Sequence, residues 1–397
     1  MRILVANDGA SDVGGVQAYL DAAIGALEAR GHNVALAYCT DSGPVAASGV
    51  SLRLLRFHLS GDGRGEALDA IRRWAPDVCY SHNMNDLSVD RDLGRIAPVV
   101  KFMHGYFGTC LSGLKMHAFP SPVVCDRVFG PACAALYLPR RCGQFSPSVL
   151  FDHWRWATDQ RSLFDFYSAI VVGSHHMERE YVRNGCNPAN VHVNPLFPTN
   201  VPDSHVSPVP PDPHVVFLGR MTKLKGGDLL IRSVRRAAAV LGQRMQLTMA
   251  GDGPQRTEWE ALARAQDVPC RFSGWLRGDD RWTLLRSASI VALPSLWPEP
   301  FGLVGLEAGA VGVPAIAVDA GGIGEWLRPG INGISVPQPA SARSFGDALA
   351  SVLRDRESLA ALRSGARRVA QEMTLAAHVD RLVAILQSAG DNKALAS

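Results

Sequence analysis

Two carboxylates, Glu299 and Glu307, stand eight positions apart in the string WPEPFGLVGLEAGAVGVP. Pro298 and Pro300 hold Glu299 in an extended turn, and Gly302 to Gly309 reads as the start of a helix. Glu299 therefore precedes the helix and Glu307 falls in its second turn. A helix start presents unbonded N–H groups, here those of Phe301, Gly302 and Leu303, to an anion, and the two carboxylates can accept hydroxyl protons from a polyol. The blander alternative makes Glu299 a cap and Glu307 a surface residue. Against it, their neighbours are Leu, Val, Ala and Gly, among which an unpartnered carboxylate is expensive. Upstream, an apolar run from His214 ends in Gly219-Arg220, and Lys225-Gly226-Gly227 opens the next helical stretch. Two cations on one loop beside a helix N-terminus make a phosphate-binding arrangement, with a solvated basic loop as the alternative.

Other positions are weaker candidates. His104 follows the apolar run Val99 to Met103, at the carboxyl end of an expected strand, where open parallel sheets bind ligands. Gly14-Gly15-Val16 opens the first helix after the first strand. It is not GxGxxG, so a nicotinamide fingerprint is absent, although a Gly pair permits close backbone approach to a ligand. Asp90-Arg91-Asp92 resembles a metal-binding DxD but falls in the helical-looking LSVDRDLGRIAP, where positions two apart do not share a face. It is rejected as a metal site. Cys110, Cys125, Cys133 and Cys142 are separated by fourteen, seven and eight residues. A structural zinc on these four thiols is the minority reading, since close ligand pairs are missing; free or partly buried thiols are the default.

The elements that must position these residues follow a strand–helix rhythm. Arg2 to Ala6, Asn33 to Tyr38, Val78 to Ser81, Val99 to Met103 and Ala169 to Gly173 read as strands, with a helix from Val16 to Ala29. Gly105 to Gln144 breaks the pattern as a long Gly-, Pro- and Cys-bearing loop, and such loops inside a compact domain are usually functional. Asn200 to Pro213 carries five prolines and reads as a stiff extended hinge. The rhythm then restarts with strands at His214 to Leu218, Met245 to Ala250, Ser289 to Leu293 and Pro314 to Val318. A helix over Gly227 to Leu241 has apolar positions Leu230, Val234, Ala238 and Leu241, and Phe345 to Leu386 is mostly helical. Alternating strands and helices predict an α/β chain with parallel sheets: two doubly wound domains, 1–205 and 206–374, with a cleft between them and a C-terminal segment 375–397.

Length and composition agree with this. The 397 residues exceed one small module, and 47% hydrophobic with 19% charged residues is an ordinary globular balance. A net charge of +3 gives no nucleic-acid footprint. Of the 40 basic residues five are Lys, so the positive charge is nearly all Arg, the better bidentate grip on phosphate. The opening MRILVAN predicts no signal peptide, and the longest apolar runs fall short of the roughly 20 residues a membrane helix needs. The expectation is a cytoplasmic protein, with attachment to the inner membrane face as an option, and eight cysteines without CxxC do not form a disulfide framework.

Taken together, GRMTKLKGGDLL, AGDG, LPSLWPEPFGLVGLEAGAVGVPAIA and AGGIGEWLRPGINGISV resemble the retaining glycosyltransferases of family 4, whose E-x7-E string matches Glu299 and Glu307. The resemblance is strong from Val215 to Val336 and weaker in GGVQAYL, His104-Gly105 and VVGSHHMEREYVRNG. It implies a GT-B fold of two Rossmann-like domains facing each other across a cleft, with the last helix crossing back to the first. It also implies that Arg220 and Lys225 bind the donor pyrophosphate and Glu307 the ribose, while Glu299 and the Phe301–Leu303 N–H groups meet the transferred sugar. His104 touches that sugar from the first domain, Gly15 lies under the phosphates, and Gly219 and Gly251 line the donor site. The donor is a nucleotide sugar, UDP-linked in preference to GDP-linked, of hexosyl or N-acetylhexosaminyl type. The acceptor is a sugar, lipid-linked or small molecule, and neither cofactor nor metal is required. The Cys-bearing loop departs from the family's minimal core at the acceptor entrance. The implied reaction is same-face substitution, in which the departing phosphate helps deprotonate the acceptor hydroxyl. Rival readings are a nucleotide-sugar epimerase, a sugar phosphorylase, and a non-catalytic nucleotide-sugar-binding protein.

Overall fold

The computed structural model describes residues 1–9, 15–40, 54–202 and 208–396, the last five by backbone alone. Gly14 and positions 203–207 of the Pro-rich segment lie outside the described residues. The chain divides into two compact units, one of Met1–Ser121, Cys125–Pro195 and Leu375–Ser397, the other of Pro122–Val124 and Leu196–Thr374.

The first unit is built on a seven-stranded parallel sheet. Its spatial order is Leu55–His58, Asn33–Thr40, Arg2–Gly9, Val78–Ser81, Val99–Met103, Ala169–Val172 and Val191–Val193. The second has six parallel strands in the order Cys270–Gly274, Gln246–Ala250, His214–Leu218, Ile290–Leu293, Ala315–Val318 and Gly333–Val336. Every interior strand coincides with an apolar run, because a parallel strand covered on both faces is nearly continuously apolar; Lys101 in Val99–Met103 is a buried exception held by Asp90. All four edge strands were missing from the sequence reading. LRFH, VHV, CRFSG and GISV are short and interrupted by polar or small residues, as strands with one unpaired side tolerate.

Alternation divides the second sheet between two cores. Val215, Phe217, Leu247, Met249, Ile290 and Ile316 face one, while Val216, Val291, Leu293, Ala315 and Ala317 face the other. The helix Gly227–Leu241 buries Leu230, Ile231, Val234 and Ala237. Ala238 and Leu241, expected on that stripe, are only partly buried, because the contact line runs through positions 230, 231, 234 and 237. The C-terminal region is three helices, Ala342–Arg354, Arg356–Glu372 and Leu375–Ala396.

The segment 105–144 is more ordered than a loop. It includes the helix Pro131–Tyr137, and Leu111, Phe129 and Tyr137 form a small core with Ala157 of the helix Pro147–Ser162. Asp90 and Asp92 point to different partners. Asp90 is buried and accepts from Ser81 Oγ at 2.5 Å, Lys101 Nζ at 2.8 Å and Tyr167 Oη at 2.8 Å, whereas Asp92 pairs with Arg64 at 2.6 Å.

The helix Leu375–Ala396 docks in the first unit through His378. The His378 Nδ1–H donates to the Pro195 carbonyl at 2.8 Å, which leaves Nε2 to accept from Tyr19 Oη at 2.8 Å. Tyr80 Oη then donates to Tyr19 Oη at 2.6 Å, and Asn194 Nδ2 donates to the His378 carbonyl at 3.1 Å. Burial pushes the His378 imidazole from its ordinary 6.5 down to about 4, opposed by the Pro195 carbonyl and assisted by Arg381. An unfolded chain takes up this proton near pH 6.5, and the folded chain refuses it until about pH 4. Stability contributed by neutral His378 is therefore present above that window and lost as pH falls through it. Denaturant unfolding followed from pH 7 to 4 should show stability falling with acid. His378→Gln should remove about one proton from that dependence, a slope of about 1.4 kcal/mol per pH unit; an unchanged slope would exclude His378 as its source.

Candidate functional site

In the second sheet the strand order reverses between His214–Leu218 and Ile290–Leu293. The connections leaving the carboxyl ends of these neighbours run in opposite directions and open a crevice, the usual ligand position in such sheets. The two loops that border it are 219–226 and 294–302, which contain Gly219, Arg220, Lys225, Glu299, Phe301 and Gly302; Leu303 and Glu307 follow in the helix Leu303–Ala310.

Backbone hydrogen bonds tie the first loop to the neighbouring strand ends and to the second loop. Gly219 N donates to Ala250 O at 2.9 Å, Met221 N to Asp252 O at 2.8 Å and Gly251 N to Gly274 O at 2.7 Å. Gly251 sits at φ +125°, and a Cβ there would overlap the Gly219 carbonyl, so this approach of two strand ends requires glycine. Leu296 N donates to Leu224 O at 2.9 Å, which brings the loop carrying Glu299 against the one carrying Lys225. The result is an ion pair, Lys225 Nζ to Glu299 Oε1 at 2.5 Å. The ammonium also lies 5.2 Å from the centre of the Trp297 ring, a cation–π distance. Glu299 is 5% exposed, so it is no surface cap.

Arg220 is exposed and enters no ion pair among the described residues. Since Glu299 already balances Lys225, the uncompensated positive charge on this loop belongs to Arg220 and to the exposed Lys223. Beyond the turn, the helix Leu303–Ala310 starts at Gly302, whose φ of +78° is left-handed. The Trp326 indole N–H donates to the Phe301 carbonyl at 2.8 Å, fixing that end of the turn, and Leu303 begins the helix with its N–H directed outward along the axis.

Glu307 is also buried, and its partner is Arg281 at 3.0 Å from the helix Gly278–Ser287. Burial pushes its carboxyl above the ordinary range, while Arg281 pulls it back. Neither Arg281 nor Ser295, whose hydroxyl donates to Glu299 at 2.5 Å, was singled out from sequence. Ser295 lies four residues from Glu299 and was visible in LPSLWPEP; Arg281 lies 26 residues from its partner, with no local signal.

In the first unit, His104 follows Val99–Met103 as expected and faces His82, with His82 Nδ1 to His104 Nε2 at 3.0 Å. Burial and the field of Lys101 push His104 down to about 3, so at neutral pH its ring is uncharged and offers a hydrogen bond without a positive charge. Gly15 is the first residue of the helix Gly15–Ala29 and is exposed. All eight cysteines are free. Cys133 and Cys142 pack against the core of Leu111 and Tyr137, and burial together with the neighbouring Cys110, Cys125 and Cys133 pushes the Cys142 thiol up to about 11. Among the described residues, no group of three or more His, Cys, Asp and Glu is arranged to hold a metal.

Residues 13–197 match the model of Glycosyltransferase Family 4, and residues 204–369 that of Glycosyl transferases group 1. The chain belongs to the family 4 glycosyltransferases. The D-inositol 3-phosphate glycosyltransferase of Saccharomonospora viridis is 35% identical over 194 residues, covering 46% of this chain and 44% of that protein. The matches to curated relatives span less than half of their length. Among solved structures, Anabaena HepE in complex with UDP-glucose superposes with a TM-score of 0.69 at 18% identity, covering 98% of this chain and 100% of that one. Sucrose-phosphate synthase from Thermosynechococcus elongatus gives 0.70 at 19%, covering 98% of each. These structures establish the fold of this glycosyltransferase, the GT-B type with two Rossmann-like domains. No helix among its described residues is long and apolar enough to cross a membrane.

The Arg281–Glu307 pair gives a test of the site's construction. Removing one partner of a buried pair leaves an uncompensated charge. With Arg281 one-quarter exposed, Arg281→Ala should destabilise the second unit by about 2 kcal/mol. Glu307→Gln in the same background should recover part of the loss. A double variant as unstable as the sum of the singles would mean that the two groups do not interact.

Proposed function

We propose that the protein transfers a hexosyl or N-acetylhexosaminyl group from a nucleotide diphosphate sugar, UDP-linked, to an acceptor hydroxyl with retention of configuration. The observation that carries this reading is the cation set at the reversal of the second sheet. Arg220, Lys225 and the start of the helix Leu303–Ala310 lie on the two loops that border the crevice, where a diphosphate would sit. The HepE neighbour holding UDP-glucose supports a uridine nucleotide as the first donor to try.

Cleavage of the bond from the anomeric carbon to the phosphate oxygen places negative charge on the diphosphate. Arg220 meets that charge uncompensated, and Lys225 can turn toward it from Glu299 as it develops, which favours the transition state over the ground state. The anomeric carbon becomes oxocarbenium-like, and its face toward the leaving phosphate receives the acceptor. The phosphate oxygen takes the acceptor proton as the new bond forms, so configuration is kept. The family resemblance gives His104 a contact with the transferred sugar, for which its ring, neutral at physiological pH, would offer a hydrogen bond and no positive charge. Glu307 accepts from the ribose hydroxyls, and Gly219 and Gly251 allow the phosphates close to the backbone; for Gly15 the same role is what the family resemblance implies. No metal is assigned to the reaction, and the protein works in the cytoplasm, with attachment to the inner membrane face as the arrangement suited to a lipid-linked acceptor.

The reading is tested by release of nucleoside diphosphate from a panel of UDP- and GDP-sugars, with and without hydroxyl acceptors, and by NMR of the product's anomeric centre. Transfer with the donor's configuration is expected. UDP binding without turnover of any donor would reduce the protein to a nucleotide-sugar binder, and an epimerised donor would identify an epimerase. Arg220→Ala and Lys225→Ala should each lower turnover about 100-fold. Only Lys225→Ala should also lower the melting temperature, because it leaves Glu299 buried without its cation. Wild-type rates in both variants would remove the loop from the site. Chelator treatment should leave transfer unchanged; a loss restored by one divalent ion would establish a catalytic metal.

A further inference from the structure

Glu299 is fixed at its backbone and at one side of its carboxylate. Its carbonyl oxygen accepts the Gly322 N–H at 2.6 Å, and the residue forms a parallel bridge with Gly321. Oε1 receives two donors at once, Lys225 Nζ and Ser295 Oγ, each at 2.5 Å. Oε2 makes no hydrogen bond among the described residues, yet it is absent from the side-chain atoms sealed from solvent without a partner. The carboxylate is thus asymmetric: one oxygen is anchored, and the other stays open on a residue that is otherwise 95% covered.

The two anchors differ in kind. Lys225 is a point charge on a flexible four-carbon stem, 27% exposed, and a diphosphate competes for it. Ser295 is 4% exposed, sits on a short side chain, and has a single hydroxyl proton, which goes to Glu299. When an anion draws Lys225 away, the hydrogen bond from Ser295 is what still fixes the carboxylate. Without it the terminal torsion of a glutamate is broad and roughly two-fold, and either oxygen can meet an incoming hydroxyl.

We propose that Ser295 is a positioning residue that anchors Glu299 through Oε1, so that Oε2 acts as a single directed acceptor for one hydroxyl of the transferred sugar. This rests on the glycosyltransferase reading above and deepens it. A sugar lacking that hydroxyl leaves Oε2 without a donor in a nearly covered site, and sites built to bond a substrate hydroxyl reject analogues without it by large factors. The selectivity belongs to Glu299, and its sharpness belongs to Ser295.

The test compares the wild type with Ser295→Ala on UDP alone, on the best UDP-sugar from the donor panel, and on the monodeoxy analogues of that sugar. UDP affinity should stay within about twofold, since Ser295 is nearly covered and its one hydroxyl proton goes to Glu299. The kcat for the parent donor should fall about 10- to 100-fold, the range for a hydrogen bond to a charged group. One deoxy donor should be strongly rejected by the wild type and lose little further in Ser295→Ala, so the discrimination ratio at that hydroxyl shrinks about tenfold or more. A merely structural role would lower the parent and every deoxy donor alike. If Ser295→Ala does not fold, Ser295→Cys, which keeps the size and weakens the donor, is measured in the same way. An unchanged kcat, or equal losses on all donors, overturns the role of Ser295 while leaving the glycosyltransferase reading intact. A wild type that turns over no nucleotide sugar overturns that reading and this inference with it.

Discussion

The reversal of strand order in the second sheet is the constraint on which the site depends. Parallel strands joined by right-handed crossovers place successive helices on one face until the order turns back. At that point the connections after His214–Leu218 and Ile290–Leu293 leave the sheet edge in opposite directions. Polar groups gather there because both loops emerge from a core that has no room for them. Lys225 and Glu299, 74 positions apart, become neighbours for that reason, and Leu224 with Leu296 supplies the backbone contact that sets their separation.

The site is economical with its charge. Two of its cations are balanced by buried carboxylates, Lys225 by Glu299 and Arg281 by Glu307, which lets the protein keep these groups in the folded state before any ligand arrives. Among the described residues of the loop 219–226, Arg220 and Lys223 are left exposed and unbalanced. A diphosphate would therefore meet a net positive edge of modest size, with further positive charge released as Lys225 turns from its partner. The same principle operates in the first unit, where Lys101 and Asp90 pair out of contact with water; burial, with the field of Lys101, holds down the protonation of nearby His104.

The second organising feature is the return of the last helix to the first unit. Its anchor, His378, works only as the tautomer with hydrogen on Nδ1, because the Pro195 carbonyl can only accept. That assignment propagates through Tyr19 and Tyr80, so the chain's last helix, its first helix and an interior strand share one hydrogen-bonded line. The links at Asn194 and Pro195 also explain why the first unit extends to residue 195 and includes the helix that follows the second unit in sequence.

The sequence by itself determined the interior strands, the helices over Val16 to Ala29 and Gly227 to Leu241, and the candidates Arg220, Lys225, Glu299 and Glu307. It could do so because a strand covered on both faces is nearly continuously apolar, and because charged residues beside apolar or Gly-rich stretches are conspicuous. Tertiary structure alone decided the edge strands, where one free side relaxes the pattern, and the order inside the segment 105–144, whose small core draws Ala157 from a later helix. It alone also decided the pairings: Lys225 with Glu299, Arg281 with Glu307, His82 with His104, His378 with Pro195. A residue's type and its local spacing follow from the chain. Which distant group satisfies it depends on the order of strands across a sheet, and that order is settled only when the whole unit packs.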